Sequence, residues 1–144
     1  MDCIYERKVN YYETDKMGIV HHSNYIRFLE EARCFFMNEN NMPFSQFEKK
    51  GVTIPVLGVN CAYKHHITFD DVLLIKVFIK EYSGVRFTVS YDVRNKKTGE
   101  VAIIAETKHC FTDTNLKPVS LKKVMPEYHE IFEKLHDDYL ASKQ

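Results

Sequence analysis

Between Val85 and Arg94 the chain alternates apolar and polar residues without a break. Val85, Phe87, Val89, Tyr91 and Val93 point one way and Arg86, Thr88, Ser90, Asp92 and Arg94 the other, the period of a strand with one buried face. The neighbouring segments follow suit. Val72 to Tyr82 places Ile75, Val77 and Ile79 opposite Lys76 and Lys80, and Val101 to Thr112 reads as the next strand. Val52 to Ile67 reads as a long strand bent at Pro55 and Gly58. Ser83-Gly84 suits a tight hairpin, and Asn95-Lys96-Lys97-Thr98-Gly99 a longer one ending in a glycine bulge. Links this short leave no room for crossover helices, so these four strands are expected to run antiparallel as a meander. Such a sheet has one apolar face that must be covered.

The cover lies earlier in the chain. From Ser23 to Asn38, Tyr25, Phe28, Leu29, Ala32, Phe35 and Phe36 recur at helical spacing. Ser23 or Asn24 can supply the N-cap oxygen, and Asn40, Asn41 and Pro43 end the helix. A strand is predicted before it, over Cys3 to Tyr11, and a helical turn after it, over Phe44 to Lys50, closed by Gly51. Val124, Tyr128, Ile131, Phe132, Leu135 and Tyr139 mark an amphipathic C-terminal helix. The expected fold is therefore α+β: a curved antiparallel sheet of about five strands wrapped around one long central helix, plus a C-terminal helix, in a single domain over residues 1–144. Sheet edges and apolar surface left uncovered in such a fold favour a dimer at least.

Composition removes several function classes. Lys plus Arg and Asp plus Glu are 20 each, so no strong field draws nucleic acid or an anionic membrane. At 144 residues one domain can bury roughly two thirds of the surface its unfolded chain exposes. Cys3, Cys34, Cys61 and Cys110 form no Cys-x-x-Cys pair and read as small hydrophobes. Asp2, Glu6, Arg7 and Lys8 interrupt the N-terminus before a signal-like apolar run forms, and no segment has the length of a membrane span. A reducing cytoplasm is the expected setting.

The reactive groups gather between the first strand and the long helix, from Tyr12 to Tyr25. Asp15 is either a solvated turn-forming carboxylate or a base or nucleophile beside a helix N-terminus, whose dipole favours negative charge by about 0.3–1 kcal/mol. His22 is either a surface residue at the helix start or a catalytic one, next to first-turn N–H groups that lack helical partners. One such N–H aimed at a developing oxyanion supplies about 2.7–4 kcal/mol. Gly18 supplies a positive φ or a close substrate approach, and Tyr25 is a first core residue of the helix or a substrate contact. Adjacent histidines on a strand point to opposite faces, so His21-His22 and His65-His66, with Asp70-Asp71, make a poor metal site. Gly-x-Ser-x-Gly and Gly-x-x-x-x-Gly-Lys are both absent. Glu30 is expected to pair with Arg33 on the exposed helix face; an inward-facing Glu30 or Glu31 would be a rival catalytic acid.

The run Tyr11-Tyr12-Glu13-Thr14-Asp15-x-x-Gly18-Ile19-Val20-x-His22-x-Asn24-Tyr25, followed by Glu31-Ala32-Arg33, resembles the signature of hotdog-fold acyl-CoA thioesterases of the 4-hydroxybenzoyl-CoA thioesterase-like branch. The order of elements resembles that fold along the whole chain. The resemblance implies hydrolysis of an acyl-CoA or acyl carrier protein thioester without metal or cofactor. It implies Asp15 as nucleophile or general base, and the backbone N–H at His22 as the group that polarises the thioester carbonyl. Gly18, Val20 and Tyr25 then become substrate-binding candidates. The family builds its sites at dimer interfaces and often pairs dimers into tetramers. The partner's second strand lines the pocket, which makes Leu57, Gly58, Val59 and Asn60, on to Cys61, candidate liners. The hydroxybenzoyl-specific relative carries Tyr at the His22 position, and an aromatic is commoner at His21. Both differences point to a short-chain or broad aliphatic acyl group. Lys64, Arg86, Arg94, Lys96 and Lys97 are the candidates for the nucleotide phosphates. The rival readings are a hotdog hydroxyacyl-thioester dehydratase and a non-catalytic acyl-CoA-binding domain.

Overall fold

A computed structural model describes residues 3–144; the expected single domain also counts Met1 and Asp2, which lie outside the described residues. In chain order the elements are β1 (Ile4–Lys8), α1 (His22–Glu39), α2 (Phe44–Lys49), β2 (Val56–Tyr63), β3 (Val72–Tyr82), β4 (Arg86–Asn95), β5 (Val101–Cys110), α3 (Leu121–Val124) and α4 (Pro126–Ser142). A 3-10 turn, Tyr11–Glu13, takes up the end of the expected first strand. No helix among the described residues is long and apolar enough to cross a membrane.

The strands form one sheet in the order β1-β3-β4-β5-β2. β3, β4 and β5 are the expected meander, but β2 does not continue it. β1 occupies the free edge of β3, antiparallel, with Ile4 opposite Lys76 and Lys8 opposite Val72. β2 therefore pairs on the far side of β5, still antiparallel: Lys64 N–H donates to Ala102 O at 2.8 Å, and Thr53 N–H to Thr112 O at 2.9 Å. β2 is also shorter than expected. Pro55 has no N–H to give the ladder, so Thr53 rejoins β5 only as an isolated bridge to Thr112.

The residues group into two compact units. The first holds the chain up to Phe36, Cys61–Val77 and Tyr91–Ala105. Its core mixes aliphatic and aromatic side chains: Tyr25, Phe28, Leu29 and Ala32 of α1 are buried, as are Ile67, Leu73, Tyr91 and Ile103. The second unit holds Met37–Asn60, Phe78–Ser90 and Glu106–Gln144. Its core is a ring cluster in which Phe87 lies 5.0 Å from both Phe111 and Phe132. Such pairs add about 0.5–1.5 kcal/mol beyond area burial. The single C-terminal helix expected from Val124 is split at Met125, which has φ −144° and ψ 70°. Pro126 excludes the α region for the residue before it and then opens α4 as a favourable first helical residue.

Candidate active site

The loop leading into α1 is a compact turn. Thr14 bridges Val20, Asp15 N–H donates to Ile19 O at 2.8 Å, and Gly18 N–H to Asp15 O at 3.0 Å. Gly18 sits at φ +79°, where a side chain is disfavoured. Asp15 Oδ1 accepts the Met17 N–H at 2.8 Å, so the local turn of an ordinary loop aspartate is present. The same bond fixes the direction of the carboxylate. Val20 N–H donates to Ile67 O at 2.8 Å, which ties the turn to the segment after β2.

The helix start differs from expectation. α1 begins at His22, and its cap is His21, not Ser23 or Asn24. His21 Nδ1 accepts the Ser23 N–H at 3.2 Å and lies 2.8 Å from Ser23 Oγ, while His21 O accepts the Asn24 N–H at 2.9 Å. An imidazole nitrogen here does the work usually given to a hydroxyl or carboxamide oxygen. The His21 ring also stacks on His22 at 4.4 Å.

Asp15, Val20, His22 and Tyr25 line one cavity of about 370 Å3, together with Met17 and Ile19. The opposite wall is Tyr63, Lys64, His65 and His66. The Tyr25 and Tyr63 rings lie 5.3 Å apart. Burial pushes the Tyr25 phenol up to about 12, although the Ile67 backbone bond acts the other way. His65 is held in place, with Nδ1 2.9 Å from Val101 O and Nε2 2.9 Å from a Glu100 oxygen. No three His, Cys, Asp or Glu side chains among the described residues converge to hold a metal ion.

Some expected site residues lie elsewhere. Gly18 shapes the turn without lining the cavity, and Leu57, Gly58, Val59 and Asn60 do not line it within this chain. Leu57 instead lines a second cavity of about 410 Å3, with Tyr82, Arg86, Phe87, Lys108 and His109 among its neighbours. The expected Glu30–Arg33 pair is replaced: Arg33 donates to Tyr91 Oη at 3.0 Å. Glu31 accepts from Tyr5 Oη and Arg7 Nε, each at 2.9 Å. Neither glutamate lines the cavity, which removes them as rivals to Asp15. Tyr63, Met17 and Ile19 line the cavity without being singled out as site residues by the sequence, while Lys64 is expected only as a phosphate contact and His65-His66 only as a poor metal pair. No local signal places Tyr63 to His66 at the cavity, because they lie beside the distant Val20–Ile67 pairing.

A carboxylate of fixed direction and a helix N-terminus beside an apolar wall can hold a carbonyl and direct an oxygen nucleophile at it. The chain matches the Thioesterase-like superfamily over residues 9–140. It is 34% identical over 130 residues to the Bacillus subtilis (strain 168) protein named "Putative acyl-CoA thioesterase YneP", covering 90% of this chain and 94% of that one. A DHNA-CoA thioesterase structure from Staphylococcus aureus superposes with a TM-score of 0.91 at 30% identity, over 98% of this chain and 95% of that one. A structure of the Aquifex aeolicus protein AQ1494 superposes with a TM-score of 0.82 at 39% identity, over 90% and 98%. The five-stranded antiparallel sheet with its long helix is the hotdog fold of these structures, and the chain belongs to the thioesterase-like superfamily of thioester hydrolases.

Proposed function

We propose that this chain, acting as one hotdog domain over residues 1–144, is a cytoplasmic acyl-CoA thioesterase that releases a free acid and CoA, with Asp15 as the catalytic carboxylate. The observation that carries the reading is that Asp15 and His22, at the first position of α1, line the same cavity. In this reading the acyl group rests against Met17, Ile19, Val20 and Tyr25. The Ser23 and Asn24 N–H groups are engaged by the His21 cap, so the first-turn donor assigned to the thioester oxygen is the His22 N–H. Asp15 either takes a proton from water as the water oxygen attacks the carbonyl carbon, or attacks that carbon itself to form an acyl-aspartyl anhydride that water then opens. In both routes the C–S bond breaks, and the thiolate of CoA leaves and takes up a proton. A thioester carbonyl is little stabilised by resonance and its thiolate leaves well, so one carboxylate and one oxyanion donor suffice.

The acyl group is proposed to be short-chain or broadly aliphatic. A second reading, an aromatic acyl group, is favoured by the Tyr25–Tyr63 ring pair at the cavity and by the named substrate of the Staphylococcus aureus relative. A panel of aliphatic and aromatic acyl-CoAs, with acyl carrier protein thioesters beside them, separates these readings when free thiol release is followed. Asp15→Asn keeps an oxygen for the Met17 N–H and should leave the fold intact while lowering kcat at least about 10²-fold. Near-normal thiol release by that variant, or an alkene product instead of a free acid, defeats the proposal.

A further inference from the structure

Glu13 lies two residues before Asp15, yet only 4% of it is exposed. Its carboxylate takes a fork from Arg7 of β1: Nη1 donates to Oε1 at 2.7 Å and Nη2 to Oε2 at 2.6 Å. Oε1 also accepts the Asn10 N–H at 2.8 Å. The other end of the same residue holds the helix. Glu13 O accepts the His21 N–H at 2.9 Å and the buried Asn24 Nδ2–H, also at 2.9 Å. Arg7 is anchored in turn, with Nε on Glu31 Oε1 at 2.9 Å and its guanidinium over the Phe28 ring at 4.7 Å.

These contacts are more than a surface ion pair requires. Planar, bidentate pairing fixes orientation as well as distance, which an ammonium in place of Arg7 does not. Glu13 is thereby locked to β1 on one side and to the first turn of α1 on the other, and the chain leaves it straight into Thr14 and Asp15. We propose that Arg7, Glu13 and Asn24 are positioning residues: a clamp that sets where the Asp15 carboxylate stands relative to the first-turn N–H groups of α1. The inference rests on the hydrolase reading above and adds to it a source of precision. Both reacting groups are referenced to one buried residue instead of to a free loop.

The test is kinetic. Two variants avoid stranding a buried charge: Asn24→Ala, which removes the side-chain bond to Glu13 O and the long 3.4 Å bond from Arg27 Nη1, and the double variant Arg7→Gln with Glu13→Gln. Misplacing a reacting group by about 1 Å costs about 10²-fold in rate. The expected result is a kcat lowered towards that factor for the double variant and less for Asn24→Ala, with KM within about threefold of the parent, measured well below each variant's Tm. Arg7→Lys should recover only part of the loss, because its point charge cannot fork. Variants that keep kcat within twofold overturn the clamp, as does a loss that follows Tm and vanishes on cooling. Comparison of wild type with Asp15→Asn is read separately: equal turnover there defeats the hydrolase reading, whatever the clamp variants do.

Discussion

Glu13 and Asp15 are both acids in one short loop, yet the chain uses them in opposite ways. Glu13 is buried and neutralised by a guanidinium, whereas Asp15 lines the cavity with one oxygen fixed by its own turn. A buried ion pair gives little net stability against apolar replacements, but breaking one side of it costs about 3–5 kcal/mol. His22 carries the prediction that belongs to this scale. It stands at the first helical position, where proline is tolerated and where the preceding residue, His21, is already outside the helix. His22→Ala removes the ring and keeps the N–H; His22→Pro removes the N–H as well and leaves the helix able to form. Steady-state assays should show a small loss of kcat for the alanine variant and a loss of about 10²–10³ for the proline variant. Equal losses would transfer the chemistry to the imidazole.

Among the elements, α4 shows how polar bonds complete an apolar contact. Phe132 is fully buried, and on either side of it His129 Nδ1 lies 2.7 Å from Tyr82 Oη and His136 Nδ1 3.2 Å from Ile79 O. His129 Nε2 is also 3.0 Å from a Glu133 oxygen. Burial, followed by the Glu133 charge, pushes the Tyr82 phenol above its ordinary value of 10.0. A group whose folded pKa is raised contributes stability that is whole below the unfolded value and is lost as pH climbs past it. Tyr82→Phe should lower stability by about 1 kcal/mol at neutral pH and flatten the fall in stability above about pH 10. Denaturant melts across that range would show both effects; an unchanged alkaline limb would mean that Tyr82 does not carry this linkage.

For the whole molecule, the two edges of the sheet are unequal. β1 presents charge: Glu6 pairs with Lys96 at 2.8 Å and Lys8 with Asp70 at 3.2 Å, a pattern that discourages edge-to-edge association. β2 presents Val56, Leu57 and Val59, each more than 40% exposed. An apolar edge of that kind is where the sequence expects a second copy of the chain, with Leu57 to Asn60 as the candidate liners of the partner's cavity. Leu57→Asp with Val59→Lys should shift the protein to monomer in analytical ultracentrifugation and lower kcat/KM about tenfold or more, roughly the value of one lost apolar contact set. A monomeric variant of full activity would separate the site from the interface.

Period alone was enough to read most elements. The alternation of β3 and β4, the helical spacing of Tyr25 to Phe36 and the loop holding Asp15 and His22 follow from local sterics and the demand to bury one face, so they are legible residue by residue. Pairings made at long range were not. That β2 joins β5, that Tyr63 to His66 form a cavity wall, and that Glu13 turns inward to meet Arg7 all depend on which segments meet after the chain closes. His21 as the cap of α1 belongs with these, since its role follows from the bond between its N–H and Glu13 O. Sequence determined most of the elements and which candidate residues share the loop before α1, because those obey local rules. Tertiary structure decided which of them share a cavity, because that outcome belongs to contacts between segments that carry no mark of one another.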